Sequence, residues 1–418
     1  MRARTSFIHA ADLHLGSPLK GIGEKDPLLA DTLRRAVACA FDRMIDRAID
    51  FEVDFVLIAG DIFDSEEPSY ADMMRFVDGM ERLRRAGIPV FAVTGNHEHS
   101  SAWQRGFASL PDNVQVFSGE HTEYGMVYRD GRALCAIVGR GFASGPIEDE
   151  LPAMGADAVF RACGREAPFA VGLLHTGLDI DRKIAPVSPQ ALRATHLDYW
   201  ALGHIHRRCC DDAVDPRIAF PGCVQGRDTG EPGDCGCNLV HLEEGMPNRV
   251  EFVHLSPVAW ERVCVDVAGA ASVLDLEHRI ARILSDRADA LRSELLLARV
   301  VIEGSGGLRD ALLERGVLSD MRERLNGMRA GFACDSIECR VAVPVDRNAL
   351  YGQGMFPAAL MAGLDGLWED RARLRDLLAG GFGERGLALP DFSDDDLGDL
   401  FDGAQDELLA MLLGGRHA

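Results

Sequence analysis

Positive charge is scarce in this chain of 418 residues. Its 44 Lys and Arg residues face 66 Asp and Glu residues, so the formal net charge is −22, and lysine occurs only at Lys20, Lys25 and Lys183. This balance argues against a broadly basic surface for nucleic acid, because contacts between cationic side chains and phosphates supply most nonspecific affinity. It leaves a local contact open, since nearly all the cationic groups are guanidinium groups, which can hold a phosphate through two hydrogen bonds.

Long apolar runs and paired cysteines are also lacking. No segment reaches the ~18 apolar residues of a membrane span, and His9 and Asp12 interrupt the apolar core that an N-terminal signal peptide needs. We therefore expect a cytoplasmic protein that does not enter a membrane. The 11 cysteines include no Cys-x-x-Cys pair. We expect reduced, unligated thiols, although the close pairs at 209–210 and 235–237 leave a thiolate zinc site open.

Acidic and imidazole side chains follow five predicted strands. The apolar run at 56–59 ends at Gly60, and Asp61 and Asp64 come shortly after it. Four other apolar runs end in the same way, before Asp12 and His14, before Asn96 and His97, before His175, and before His204 and His206. A buried strand that ends in such residues places them at the carboxyl edge of a sheet, where open α/β folds bind ligands.

The residue types at these strand ends suit a metal site. One acid after a strand is more often a turn former or a helix cap, but five such strand ends favour metal ligands. Oxygen and imidazole nitrogen without thiolate suit Mn²⁺, Fe²⁺ or Zn²⁺. We predict two cations that share Asp61, since a carboxylate can bridge cations about 3.5–4 Å apart. The candidate ligands are Asp12, His14, Asp61, Asn96, His175, His204 and His206.

The order of these residues resembles a known family. The motifs are Asp12-x-His14, Gly60-Asp61-x-x-Asp64, Gly95-Asn96-His97-Glu98, His175 and Gly203-His204-x-His206. Such motifs, in this order over about 200 residues, resemble those of the calcineurin-like metallophosphoesterases. Within that superfamily the segments 12–16, 60–64 and 201–207 look most like the bacterial SbcD and YhaO-type DNA repair exonucleases. The resemblance covers roughly the first 255 residues well and the remainder loosely.

The resemblance implies how the ligands divide between two divalent cations, for which Mn²⁺ is the expected ion. One cation would be held by Asp12, His14, Asp61 and His206. The other would be held by Asp61, Asn96, His175 and His204.

Four further residues are candidates for roles beside the ligands, and the resemblance implies the role of the first. His97 would be the catalytic residue, which protonates the leaving oxygen or steadies the phosphate. Asp64 would orient His14 or His97 rather than bind a cation. Arg207 and Arg227 lie in sequence around the last histidine motif, and we expect them to contact the substrate phosphate.

Sequence periodicity predicts an α/β fold. Amphipathic helices over 28–51 and 68–87, the second with Ser69 as its N-cap, alternate with strands and predict parallel β-α-β units. The dipeptide Asp130-Gly131 predicts a hairpin further on. Together with the resemblance, this pattern predicts a two-sheet sandwich flanked by helices, which is the metallophosphoesterase fold.

We expect three parts in the chain. A nuclease domain would cover 1–257, a small α/β capping domain 258–345, and a helical C-terminal segment 346–418. The sequence leaves open whether the apolar face of the last segment docks a partner or folds back on its own domain. That face comprises Leu397, Leu400, Phe401, Ala404, Leu408, Met411 and Leu412.

The leading interpretation is a two-metal-dependent phosphodiesterase that acts as a DNA exonuclease or endonuclease of double-strand break repair. The resemblance implies a partner, an SbcC-like coiled-coil ATPase, and a homodimer is left open. A small-molecule phosphodiesterase or phosphatase of the same superfamily stays open, as does a non-catalytic subunit of a repair complex. Protein phosphatases are disfavoured, because Asp64 is followed by Ser65-Glu66 where they usually carry Arg-Gly.

Overall fold

A computed structural model describes the chain at residues 2–17, 27–65, 67–97, 110–142, 147–163, 167–328, 331–342 and 355–384, and at residues 397, 398, 400, 401, 404, 405 and 408. The chain divides into two units. The first comprises Met1–Arg262, Leu284–Ala298 and Ala330–Asp335, and the second comprises Val263–Ile283, Arg299–Arg329 and Ser336–Ala418. The predicted domain boundaries at 257 and 345 stay a prediction.

Strands and helices alternate through most of the chain. Strands β1 to β15 are, in order, Arg4–Ala10, Phe55–Ala59, Val90–Val93, Val114–Phe117, Glu123–Arg129, Arg132–Arg140, Phe169–His175, Tyr199–Gly203, Cys209–Cys210, Ile218–Phe220, Gly236–Glu243, Arg249–His254, Val258–Asp266, Leu295–Glu303 and Phe332–Cys339. Helices α1 to α10 are Pro27–Asp50, Tyr70–Arg85, Leu151–Met154, Ala156–Cys163, Pro189–Arg193, Val273–Ala290, Arg309–Leu313, Val317–Gly327, Met355–Glu369 and Arg371–Glu384.

The first sheet has the strand order β12-β11-β1-β2-β3-β4. Strands β1 to β4 are parallel, and β11 pairs antiparallel with β1. Every residue of β2 is buried, as expected of a parallel strand that is covered on both faces. Helices α1 and α2 cover one face, where Phe41 and Phe76 share a core with Ile8, Val56 and Ile58.

The second sheet has the order β5-β6-β7-β8-β10-β9, in which β6, β7, β8 and β10 are parallel. Its inner face packs on the first sheet through a core that includes Phe7, Phe55, Val171 and Tyr199. The rings of Phe7 and Phe55 stack with centroids 4.5 Å apart. Burial of each such side chain stabilises the fold by roughly 1.5–3 kcal/mol. The predicted two-sheet sandwich is therefore confirmed.

Helices also cover the outer face of the second sheet. Val159 of α4 and Leu192 of α5 share a buried core with Leu174 and Trp200. The sandwich is thus flanked by helices on both sides, as the sequence predicts.

Two local sequence signals have the expected structure. The hydroxyl of Ser69 accepts a hydrogen bond from the backbone N–H of Asp72 at 3.2 Å, which caps α2 at its N-terminus. Asp130 and Gly131 have φ angles of 52° and 74°, as a tight hairpin turn between β5 and β6 requires.

Beyond the sandwich, β13, β14 and β15 form a third sheet in this order, and α6 to α8 lie between these strands in the chain. In the C-terminal segment, Leu397 and Phe401 share a buried core with leucines of α9 and α10. Leu400 and Leu408 are 44% and 42% exposed. The predicted apolar face is therefore buried at two of its described positions and exposed at three, Leu400, Ala404 and Leu408. Its last members, at 411 and 412, lie outside the described residues.

Candidate metal centre

The loops after β1 and β2 run side by side beyond the edge of the first sheet. The backbone N–H of Asp12 donates to the carbonyl of Gly60 at 3.0 Å, and that of His14 donates to the carbonyl of Asp61 at 2.9 Å. Each loop therefore continues the pairing of its strand, which brings the two aspartates together. Both are buried, with 1% and 0% exposure.

Four of the predicted ligands have a backbone conformation that residues other than glycine rarely adopt. The φ angle is 51° at Asp12, 45° at His14, 48° at Asp61 and 102° at His204. Such a conformation costs about 1–3 kcal/mol per residue and persists only where the surrounding structure enforces it. Its concentration at these loops indicates that they are shaped for a site rather than for stability.

Two glycines allow the loops to approach one another. A Cβ atom on Gly95 would lie 2.0 Å from Oδ1 of Asp61, and one on Gly60 would lie 2.4 Å from Nδ1 of His175. Gly60 also has a φ angle of +90°, which disfavours any other residue. The glycines of the Gly-Asp and Gly-Asn-His motifs are thus required for packing at the site.

The first group of candidate ligands comprises Asp12, His14, Asp61 and His206. Each offers one ligand atom, and these atoms lie within 4.8 Å of one another. The Nε2 atoms of His14 and His206 are 3.2 Å apart, and Nε2 of His206 is 3.8 Å from Oδ1 of Asp12. Two ligand atoms that are each about 2.1 Å from one cation are separated by roughly 3–3.5 Å. These spacings are therefore near those of ligands to a common cation.

The second group comprises Asn96, His175 and His204. Oδ1 of Asn96 lies 2.9 Å from Nε2 of His175 and 3.1 Å from Nδ1 of His204. Asp61 adjoins both groups, because its Oδ2 atom is 3.8 Å from Nε2 of His14 and 3.6 Å from Nε2 of His175. The structure thus brings all seven predicted ligands together, and Asp61 lies between the two groups.

One nitrogen of each imidazole is held by an oxygen outside these groups. The pairs are His14 Nδ1 with Asp64 Oδ1 at 3.2 Å, His206 Nδ1 with Glu231 Oε1 at 2.6 Å, His175 Nδ1 with the carbonyl of Ala59 at 2.9 Å, and His204 Nε2 with Asp181 Oδ2 at 3.2 Å. Carbonyl and carboxylate oxygens only accept hydrogen bonds, so a hydrogen bond in any of these pairs requires a proton on the nitrogen. In that tautomer of the neutral ring, the other nitrogen directs its lone pair into the groups, as a metal-binding imidazole must.

The Oδ2 atom of Asp61 is buried and has no hydrogen-bond partner among the residues that the structure describes. Oδ1 of the same carboxylate accepts from the backbone N–H of His97 at 3.0 Å, whereas Oδ2 has three imidazole nitrogens 3.6–4.0 Å away. An unpaired carboxylate oxygen in the interior is costly, and a divalent cation between it and the imidazoles would offset that cost. The residues present therefore fit divalent cations.

Burial and neighbouring charges perturb the acids and imidazoles of the site. Burial raises the pKa of Asp12 above its ordinary value. Burial also opposes ionisation of Asp61, but the imidazole of His175 brings the pKa of Asp61 below its ordinary value. Burial lowers the pKa of His175 to about 4, so this ring is neutral near pH 7. At His206 burial acts in the same direction, but the hydrogen bond to Glu231 raises the pKa.

The remaining predicted site residues lie beside these groups or next to them in the chain. The side chain of His97 is 40% exposed, and its Nδ1 atom is 3.4 Å from the carbonyl of Asp64. Arg207 is exposed and makes no hydrogen bond or ion pair within the part of the chain that the structure describes. Arg227 is engaged with two carboxylates, those of Asp64 at 2.9 Å and Glu231 at 2.8 Å.

Sequence analysis does not identify Glu231 and Asp181, which hold the outer nitrogens of His206 and His204. Glu231 lies in a turn between Gly230 and Pro232, and Asp181 lies in the loop after β7. Acids are common in such loops for reasons of turn formation alone, so no sequence signal distinguishes these two. Among the described residues, no cysteine belongs to a group of potential metal ligands.

Comparison with known families identifies the class of protein. The family model described as calcineurin-like phosphoesterase matches residues 5–208, and the model for the middle domain of the metallophosphoesterase YhaO matches residues 260–342. The chain belongs to the calcineurin-like metallophosphoesterase family. It is similar to the metallophosphoesterase YhaO of Bacillus subtilis (strain 168), with 32% identity over 333 residues, which are 78% of this chain and 78% of that protein.

Similarity extends to a repair protein at lower identity. The DNA double-strand break repair protein Mre11 of Aeropyrum pernix is 26% identical over 334 residues, which are 77% of this chain and 77% of that protein. Among solved structures, a dimetal phosphatase from Danio rerio aligns with a TM-score of 0.38 and 14% identity, over 60% of this chain and 98% of that chain, which is too low to support a conclusion. None of the described helices has the length and apolar character that crossing a membrane requires.

We expect cation binding to release protons near neutral pH. In the cation-free protein burial raises the pKa of Asp12, and the hydrogen bond to Glu231 raises that of His206 against the effect of burial, so both groups keep a proton to higher pH than usual. A cation binds only the deprotonated forms, so its apparent affinity should increase with pH. Calorimetric titration with Mn²⁺ in two buffers of different ionisation enthalpy measures the protons released. Equal affinities at about pH 6 and about pH 8 would contradict this expectation.

Proposed function

We propose that this metallophosphoesterase is a two-metal-dependent DNA nuclease of double-strand break repair. The observation that carries the proposal is the unpaired Oδ2 atom of Asp61, which lies among imidazole nitrogens from both ligand groups. The Mre11 relative, whose name assigns it to double-strand break repair, supports DNA as the substrate class.

In this proposal the ligands divide as the resemblance implies, and Mn²⁺ is the expected ion. One cation is held by Asp12, His14, Asp61 and His206, and the other by Asp61, Asn96, His175 and His204. Two bound cations acidify water and stabilise the charge of the phosphoryl group in transfer.

His97 is proposed to act on the substrate itself. Its backbone N–H donates to Oδ1 of Asp61, which fixes the residue beside the site. Its Nδ1 atom lies towards the carbonyl of Asp64, and its side chain is partly exposed. A protonated Nε2 atom on this partly exposed ring can donate to the leaving oxygen of a phosphodiester.

Arg207, which is exposed and unpaired within the described chain, is proposed to contact a neighbouring phosphate.

The function is tested with two diester substrates. Purified protein is incubated with end-labelled linear duplex DNA and with bis-p-nitrophenyl phosphate, each with Mn²⁺ or with EDTA. We expect Mn²⁺-dependent cleavage of both, because the site acts on a phosphodiester in either molecule. Cleavage of the small diester alone, even with the ATPase present, would favour a small-molecule phosphodiesterase. Binding of cations without cleavage of either would favour a non-catalytic subunit.

Substitutions at His97 and Asp61 separate catalysis from cation binding. His97→Ala should reduce the rate of diester cleavage by about 10²–10⁴-fold, because it removes general acid help. It should leave two cations per chain, whereas Asp61→Asn should lose cations as well as activity. Metal analysis after gel filtration measures the cation content. His278→Ala, an exposed histidine of α6, is the matched control and should change neither quantity. A His97→Ala protein without cations, or one with full activity, would show that the proposed role is wrong.

The partner is proposed to be an SbcC-like coiled-coil ATPase that docks on the exposed leucines of the C-terminal segment. Leu400 and Leu408 remain exposed although Phe401 is buried, so part of the predicted apolar face is available. The double substitution Leu400→Glu and Leu408→Glu should abolish co-purification with a co-expressed ATPase while the circular dichroism of the chain is retained. Leu313→Glu, at another exposed leucine, is the control. Undiminished co-purification of the double variant would contradict the proposal.

The homodimer also stays a prediction, which sedimentation velocity tests.

A further inference from the structure

A chain of hydrogen bonds, completed at His14 by a close ion pair with Asp64, joins the outer nitrogens of His14 and His206. Nδ1 of His206 is 2.6 Å from Oε1 of Glu231, which accepts from Nη2 of Arg227 at 2.8 Å. Nη1 of Arg227 donates to Oδ1 of Asp64 at 2.9 Å, and this oxygen is 3.2 Å from Nδ1 of His14. The guanidinium group thus connects the two carboxylates that hold these two imidazoles.

The inner nitrogens of the same two rings complete a closed loop. The Nε2 atoms of His14 and His206 face each other at 3.2 Å. When both are unprotonated, their lone pairs repel at this distance unless a cation lies between them. The contacts at the outer nitrogens therefore oppose this repulsion and help to keep both rings in place for a cation.

Arg227 has little capacity left for a phosphate. Its Nε and Nη2 atoms form a fork on the two oxygens of Glu231, at 3.3 Å and 2.8 Å, and its backbone N–H also donates to Glu231 at 2.8 Å. The side chain is 19% exposed. The fork that would grip a phosphate bidentately is already occupied.

We propose that Arg227 and Glu231 are positioning residues for the cation that His14 and His206 hold, and that Arg227 acts on this cation rather than on substrate phosphate. The inference rests on the proposed metal centre. Within the described residues the other two imidazoles have no such connection, because His175 is held by a backbone carbonyl and His204 by Asp181. Loss of the Arg227–Glu231 pair therefore affects one cation and leaves the other in place.

The test is calorimetric titration of cation-free protein with Mn²⁺. In Glu231→Gln and in Arg227→Lys, one of the two binding events should weaken by about 10–100-fold, the usual effect of losing a group that orients a ligand. Lysine does not substitute for arginine, because a single ammonium group does not span both carboxylates with the geometry of a guanidinium fork. Electron paramagnetic resonance of either variant is then recorded with one Mn²⁺ added per chain. Because this ion should occupy only the stronger site, the spectrum should be that of isolated Mn²⁺ and not of two coupled Mn²⁺ ions.

Two control variants define the result. Arg207→Ala should leave both cation affinities unchanged, because Arg207 contacts none of the described ligands. Asp181→Asn should weaken one cation through His204, so that combining it with Arg227→Lys should weaken both. If Arg227→Lys instead binds both cations as the wild type does and only raises the KM for DNA, Arg227 is a phosphate contact and the inference is wrong.

Failure of the inference and failure of the proposed function are distinguishable. A wild-type protein that binds no Mn²⁺ would overturn the metal centre itself, whereas wild-type binding of two cations with unchanged binding in both variants would overturn only the positioning role. Thermal unfolding in EDTA is recorded for every variant. If Glu231→Gln and Arg227→Lys are unfolded while Asp181→Asn is folded, Arg227 and Glu231 are needed for the stability of the fold. That result would also contradict the inference.

Discussion

The structure of the site depends on one buried carboxylate, that of Asp61. Removal of a carboxylate from water costs several kcal/mol unless other groups compensate its charge. Here the backbone N–H of His97 satisfies one oxygen, and imidazoles on two sides, those of His14 and His175, approach the other without a hydrogen bond. The compensation is incomplete in the protein alone, which is why divalent cations suit the site.

The fold meets this constraint through parallel strands that end at one edge. A buried aromatic core, with Phe7 stacked on Phe55, lies between the sheets, and the loops at that edge have left-handed conformations at Asp12, His14 and Asp61. Glycine at Gly60 and Gly95 permits the close approach that any side chain would prevent. The buried cores of the sandwich thus stabilise the fold, whereas the loops at its edge position the candidate ligands.

The four imidazoles lie against unlike groups, so the two groups of candidate ligands are not equivalent. A backbone carbonyl and the partly exposed Asp181 hold the rings of the second group. A partly buried network of two carboxylates and Arg227 holds those of the first. The whole chain is acidic, with a net charge of −22, so divalent cations held at this site would add local positive charge to it.

The sequence by itself determined the alternation of helices and strands, the two-sheet sandwich and the residues that gather at the strand ends, because these depend on local periodicity and on residue type. The helix cap at Ser69 and the hairpin turn at Asp130-Gly131 involve only a few neighbouring residues, so the sequence predicts them as well. Tertiary structure alone decided that β1 pairs with β11, that Phe401 folds back on α9 and α10, and that Glu231 holds an imidazole. Those contacts join segments that are far apart in the chain. The sequence offers many acids and apolar faces that could form them, and tertiary packing determines which ones do.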